Sequence, residues 1–199
     1  MDNSFVNRKD RIIASAIEII SEAGLASLTT KSLAMKENMS ESLMYRYFAG
    51  IEEVLVEVVD NFTKFDKGIL ATVEAKDISH IDKVLEFLKM FGTYYDGYKE
   101  MTAIVLNYES FLHNVNTRDK IAGSIELRTN FVRKELKAAM EEGEIIDTFT
   151  PEELTNLFIG GTDRDLLNRR IQNDTKSHDQ VIASMLDKLA DMVRIKKDQ

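Results

Sequence analysis

The sequence predicts an all-α fold, and three observations carry that expectation. Proline occurs once and glycine nine times in 199 residues, too few for the tight turns that join strands. Apolar residues recur at helical spacing, beginning with Ile12, Ile13, Ala16, Ile17 and Ile20. Start and stop signals punctuate these stripes. The clearest is Thr150-Pro151-Glu152-Glu153: a cap, a proline at the first helical position and acids in the first turn. Counting stripes between such signals gives about nine helices.

Residues 8–24 read as the first helix, with Gly24 as a left-handed C-cap. Thr29 or Thr30 caps a short second helix that carries Leu33 and Ala34. Asn38 interrupts it, a residue that tolerates the left-handed conformation of a sharp turn. Ser40 caps a third helix starting at Glu41, and Phe48-Ala49-Gly50 closes it. Three short helices, the last two joined by a tight turn, describe a helix-turn-helix. Longer helices are expected at 51–75, 79–98, 101–114, 117–142, 151–173 and 178–196, with Gly143 stopping the fourth of these and Ser177 capping the last. The division is therefore a helix-turn-helix domain, 1–50, and a helical domain, 51–199. Gly160-Gly161 inside a helix costs about 1 kcal/mol per residue in propensity. Close approach of a partner helix offsets such a cost, which places a homodimer interface on 152–173 and 178–195 as a bundle built from two subunits.

An apolar fraction of 44% and a charged fraction of 30% are those of a folded chain. The absence of cysteine removes disulfides, thiolate metal sites and thiol nucleophiles, and fits a reducing cytoplasm. No apolar run approaches the roughly 20 residues of a membrane span, and the first residues lack the apolar centre of a signal peptide. A cytoplasmic protein without a membrane partner is expected. The net charge is −8, yet residues 1–50 hold six Lys+Arg and six Asp+Glu. All of the net charge therefore lies beyond residue 50, and the two parts are suited to different tasks.

Enzyme readings find no support. His80, His113 and His178 have no metal-ligand spacing. Ser177-His178-Asp179 names the residues of a triad, but helical neighbours point about 100° apart and form no relay. No glycine-rich phosphate loop occurs, and no cofactor is expected.

Two clusters remain. In the first, Glu41, Ser42 and Leu43 open the third helix, where side chains meet base edges in a helix-turn-helix. A glutamate there accepts from a cytosine amino group and Leu43 meets a thymine methyl; capping electrostatics is the alternative for Glu41. Thr30, Lys31 and Arg46 are candidate phosphate or groove contacts. Arg8, Lys9 and Arg11 form either a backbone-contacting arm or a solvated tail. The second cluster, 87–112, gathers Phe87, Phe91, Tyr94, Tyr95, Tyr98, Tyr108 and Phe111, with Met90 and Met101. Tyrosine hydroxyls need partners, and a ligand pocket with an apolar body and few polar points uses them well; a packed core with tyrosines at its rim is the alternative. The candidate lining is Phe87, Met90, Phe91, Tyr94, Tyr98, Met101, Val105, Tyr108, Glu109 and Leu112. Glu109 borders an apolar face, placed to pair with a cationic ligand or to point to water.

The ordered set "RIIASAIEIISEAG", "LTTKSLA" and "MSESLMYRYF" resembles the DNA-binding region of the TetR family of one-component transcriptional regulators. The last segment ends in that family's aromatic-x-aromatic-Phe pattern, and "MEEGEIIDTFTPEELTNLF" is similar to its link into the final two helices. The resemblance implies a homodimer that sets one recognition helix per subunit into successive major grooves of a double-stranded, pseudo-palindromic operator. It implies a repressor released by a small-molecule effector in the C-terminal domain. It also implies that Tyr45 and Tyr47 reach the sugar-phosphate backbone, contacts that position a protein without reading sequence. Three positions depart from the pattern. Glu37-Asn38-Met39 stands where Ala-Gly-Val is usual, Ile51 where a lysine often meets phosphate, and Ser42 where glycine is common. A small residue would be buried at 37, so Glu37 must reach solvent or a partner. The neutral head and these departures support a rival expectation: a TetR-like scaffold with weak DNA binding that works through protein partners.

Overall fold

A computed structural model of the chain describes residues 7–172 and 178–196. Among them the regular structure is helical, and β pairing is limited to one isolated bridge, Ile145 with Arg194. The helices are α1 (Arg8–Ala23), α2 (Thr30–Lys36), α3 (Glu41–Met44), α4 (Ile51–Thr63), α5 (Asp66–Glu74), α6 (His80–Gly97), α7 (Thr102–Val105), α8 (Tyr108–His113), α9 (Arg118–Glu141), α10 (Pro151–Gln172) and α11 (His178–Val193). Ser177, expected to cap α11, and residue 173 of the expected interface lie outside the described residues.

Two expected helices are broken. The 51–75 helix is interrupted at Lys64 and Phe65, just before Asp66, whose buried carboxylate is claimed by side chains of α9. The 101–114 helix breaks at Asn107, whose Nδ2 donates to the Ala103 carbonyl at 2.7 Å. That side-chain bond competes with the backbone ladder. The third helix is also shorter than expected. After Met44 the chain tightens, with Arg46 N–H donating to Leu43 and Tyr47 N–H to Met44, so Tyr45–Tyr47 form a turn rather than a further turn of α-helix.

The caps follow their chemistry. Thr29 and Ser32 form a reciprocal capping box, Ser40 Oγ accepts from Leu43 N–H at 3.2 Å, and Thr150 and Glu153 cap α10 reciprocally. Asn38 has φ 51°. Met39 N–H donates to Ala34 and Asn38 N–H to Met35, the paired bonds of a Schellman turn that satisfies the end of α2. Gly143, at φ 69°, closes α9 by the same pair of bonds to Ala139 and Met140. Gly24 differs from the expected left-handed cap: its φ of 83° and ψ of 163° belong to a region open to glycine alone.

The chain forms two compact units. One holds the residues up to Lys64 with Glu100–Gly123; the other holds Phe65–Lys99 and Ser124 onward. In the first, Ile12, Ala16, Ile17 and Ile20 of α1 are buried with Leu33, Met44, Phe48, Val58 and Phe62. Glu52 of α4 accepts from Asn114 at 2.9 Å and Asn116 at 3.0 Å, and Asp60 accepts from Lys120 at 2.5 Å. In the second, α6 packs on α5 and α11, and α10 on α11. Its core includes Val84, Phe87, Phe131, Leu136, Phe158 and Leu186. Gly161 explains itself within this chain, since a Cβ there would stand 3.1 Å from Met185 Cε of α11; Gly160 faces open space.

Candidate nucleic-acid interface and ligand cavity

The tip of the first unit is a rigid base carrying an exposed row. Leu33, Ala34, Met44 and Phe48 are buried beneath it. Lys31, Glu41, Ser42, Tyr45 and Arg46 are exposed, while Thr30, Leu43 and Tyr47 are half-buried. Thr30 Oγ1 donates to Glu41 Oε2 at 3.4 Å and links the starts of α2 and α3; the Ser40 and Ser42 hydroxyls lie 2.9 Å apart.

Glu37 finds its partner inside the head. Its side chain is only 6% exposed, accepts from Ser15 Oγ at 2.7 Å, and pairs with Arg11 Nη2 at 3.3 Å. Arg11 is therefore tied to α2 and is not part of a loose arm. Ile51 opens α4 without a lysine, but Lys9 reaches that end from α1. Its ammonium lies 3.9 Å from Glu53 and 5.0 Å from the centroid of the Phe48 ring.

The second unit contains a narrow, partly open cleft with a cavity volume of about 50 Å³. Its walls are mainly apolar, with Phe87 and Phe91 of α6 facing Ile159 and Leu166 of α10 and Ile182 of α11. The polar lining is Tyr95, Arg128, Thr162 and Asp163. Arg128 is committed. Its Nη2 and Nε donate to Asp66 at 2.7 and 3.3 Å, its Nη1 donates to Tyr95 Oη at 3.0 Å, and its guanidinium lies 4.1 Å from the Phe91 centroid. Ser124 Oγ completes the group at 2.5 Å from Asp66. Asp163 has no hydrogen bond or ion pair to the described residues. It is exposed to solvent, and the protein on its one covered side raises its pKa, against the opposing pull of Arg128.

Comparison with known proteins agrees with this geometry. Residues 12–58 match the profile of the bacterial regulatory proteins of the tetR family. The ketosteroid transcriptional regulator KstR2 of Mycobacterium tuberculosis superposes with a TM-score of 0.87 at 13% identity, covering 98% of each chain. Residues 12–58 are thus a DNA-binding region of the tetR type, and the chain as a whole has the fold of the TetR-like regulators. FadR from Bacillus subtilis, solved in complex with stearoyl-CoA, gives a TM-score of 0.71 at 20% identity over 90% of this chain and 96% of its own. The nucleoid occlusion factor SlmA of Vibrio cholerae is 25% identical over 87% of this chain and 89% of its own.

The eight residues singled out on the head are all exposed or half-buried in this capped helix-turn-helix. The ten singled out as ligand lining do not form one wall. Only Phe87 and Phe91 line the cleft. Met90, Tyr94 and Tyr98 belong to the second unit but not to that lining; Met101, Val105, Tyr108, Glu109 and Leu112 belong to the first. Met101 and Val105 are buried, and Tyr108 packs edge-on against Phe62 with centroids 5.9 Å apart. Tyr94 packs on Phe65, and its buried hydroxyl has no hydrogen-bond partner among the described residues. Of the two roles expected for Glu109, its side chain takes the one facing water: it is 90% exposed and 3.7 Å from the His113 imidazole. The lining also takes in Tyr95, named in the aromatic cluster but not among the ten, and Arg128 and Asp163, which the sequence did not single out. Arg128 lies in the expected 117–142 helix and Asp163 in the expected interface, where a charge at one position looks like any solvated charge.

Proposed function

We propose that this protein is a homodimeric repressor, acting in the cytoplasm, that binds a pseudo-palindromic operator and is released by a small apolar or aromatic effector held in the cleft of the second unit. The exposed row on the head carries the reading. Phosphate contacts fall to Lys31, Arg46 and the hydroxyls of Tyr45 and Tyr47, with Thr30 beside them. Glu41, Ser42 and Leu43 meet base edges. Subunit pairing uses α10 and α11, which leave Leu157, Ile171, Val181 and Met192 exposed, an apolar set suited to a two-subunit bundle. The names of KstR2 and of the stearoyl-CoA complex of FadR favour an apolar effector body. Release follows from linkage: an effector that binds the DNA-free conformation better lowers operator affinity, typically by about 5–150-fold.

The test is fluorescence anisotropy with DNA from upstream of the protein's own gene, alongside sedimentation. A species of twice the 22.7 kDa chain mass that binds this DNA and releases it on adding a small apolar compound supports the reading. A monomer removes the paired half-sites.

A second reading has its own observation. The nucleoid occlusion factor SlmA is similar over most of the chain, and the head carries no net charge. In this reading the chain is a TetR-like scaffold that works through protein partners. DNA binding too weak to occupy a site at physiological salt selects it.

A further inference from the structure

We infer that Glu37 is a positioning residue for sequence reading: its carboxylate anchors the turn before α3 to two donors of α1 and so fixes where Glu41, Ser42 and Leu43 stand. This rests on α3 being the element that meets base edges. α3 is a single helical turn of four residues, Glu41–Met44. So short a helix has little stability of its own, and its direction is imposed by what holds it. Beneath it Met44 is 1% exposed and Phe48 2%. That apolar floor sets the depth of α3 but not its direction, because apolar contacts are non-directional. Direction comes from polar bonds at its start. Ser40 caps α3, but Ser40 belongs to the turn Glu37-Asn38-Met39-Ser40 and moves with it.

The backbone of that turn is tied to α2, through Met39 N–H to Ala34 and Asn38 N–H to Met35. Glu37 ties it to a different helix. Its Oε1 accepts from Ser15 Oγ at 2.7 Å and its Oε2 from Arg11 Nη2 at 3.3 Å. Arg11 and Ser15 stand four residues apart and so share one face of α1. Two donors one helical turn apart hold the carboxylate at two points, and bonds to a charged acceptor are about twice as strong as neutral ones. With the Glu37 side chain only 6% exposed, water competes little for them. Lys36 also joins the end of α2 to α1, but its partners Glu18 and Glu22 are 44% and 69% exposed, where such pairs contribute little. A turn that shifts along α1 carries the first residues of α3 with it, and three side chains aimed at base edges lose their register together.

The test compares a preferred site with random DNA. Duplexes that the full-length native protein selects from a random pool supply the site, and anisotropy gives both affinities for each variant, at a temperature where circular dichroism shows it folded. Glu37→Ala should lower the ratio of the two affinities by about tenfold, the size of one lost base contact. Its affinity for random DNA should not fall, since no cation is removed and Arg11 loses its counter-charge. Glu37→Gln, whose amide oxygen still accepts from Ser15, should keep most of the ratio. Ser15→Ala, a smaller change that leaves Arg11 in place, should lower the ratio by about threefold, and it decides the matter if Glu37→Ala does not fold. An unchanged ratio in these variants overturns the inference. So does an equal loss on both DNAs, which marks a residue that only stabilises the fold. A native protein that selects no sequence from the pool overturns the DNA reading itself, and the inference with it.

Discussion

Glu37 in the head and Asp163 at the cleft are carboxylates that the two regions treat in opposite ways: Glu37 is buried and bonded, and Asp163 is exposed to solvent. Glu37 is met by Ser15 and Arg11 from the neighbouring helix, so the charge is spent on fixing α2 against α1. Asp163 is met by no donor among the described residues, although Arg128 stands across the cleft, because that guanidinium is held by Asp66 and Tyr95. A satisfied buried charge marks structure. An exposed one without a protein partner is met by water.

The largest effect in this comparison comes from opening the network beside Asp163. Asp66→Ala leaves Arg128 buried without its carboxylate, and breaking such a pair from one side costs about 3–5 kcal/mol. Urea denaturation should show that loss, and a change within error would mean the pair is not held as described. In the head, Glu37→Ala should cost about 1.5–3 kcal/mol, the range for hydrogen bonds to charged groups. The double change Ser15→Ala with Glu37→Ala should cost less than the two single changes added together, because the second removes a donor already orphaned. Strict additivity would show that Ser15 and Glu37 do not act together.

The smallest effect is one of pH. The Glu135 carboxylate, 2.6 Å from His80 Nδ1, holds the imidazolium above its usual range against the opposing desolvation, with Glu142 assisting at 3.2 Å from Nε2. The folded state therefore keeps its proton to higher pH than the unfolded chain does. The stabilisation is full below the unfolded histidine value of about 6.5 and is lost as pH rises through the folded one. Unfolding free energy measured from pH 6 to 9 should decline through that window, and His80→Gln should flatten the decline. An unchanged slope in His80→Gln would assign it to other groups.

What the sequence made legible divides along the same line. The helices, the caps at Thr29, Ser40 and Thr150, the left-handed Asn38 and the closing Gly143 are local events within a few residues, and local chemistry decides them. The exposed row from Lys31 to Arg46 follows from the same short-range spacing. The breaks at Lys64 and Asn107 were not legible, since neither carries proline or glycine. One sits beside an aspartate bound by residues about sixty positions on, the other at a side chain that bonds its own backbone. The cleft was half legible. Its aromatic side came from the dense run at 87–91, but Arg128 and Asp163 reach it from helices far along the chain. Glu109 stands alone in an apolar stretch, and isolation in sequence says nothing about isolation in space.

The central claim is that the exposed row of the head holds DNA by its phosphates. The measurement that meets it most directly is the salt dependence of binding to upstream DNA, for the native protein, Lys31→Ala and Tyr47→Phe. The logarithm of affinity should fall linearly with the logarithm of salt concentration, the slope should shrink by about one for Lys31→Ala, and both variants should weaken all sequences alike. Affinity that ignores salt, or a Tyr47→Phe protein that changes its preferred sequence while keeping its overall affinity, would contradict the account.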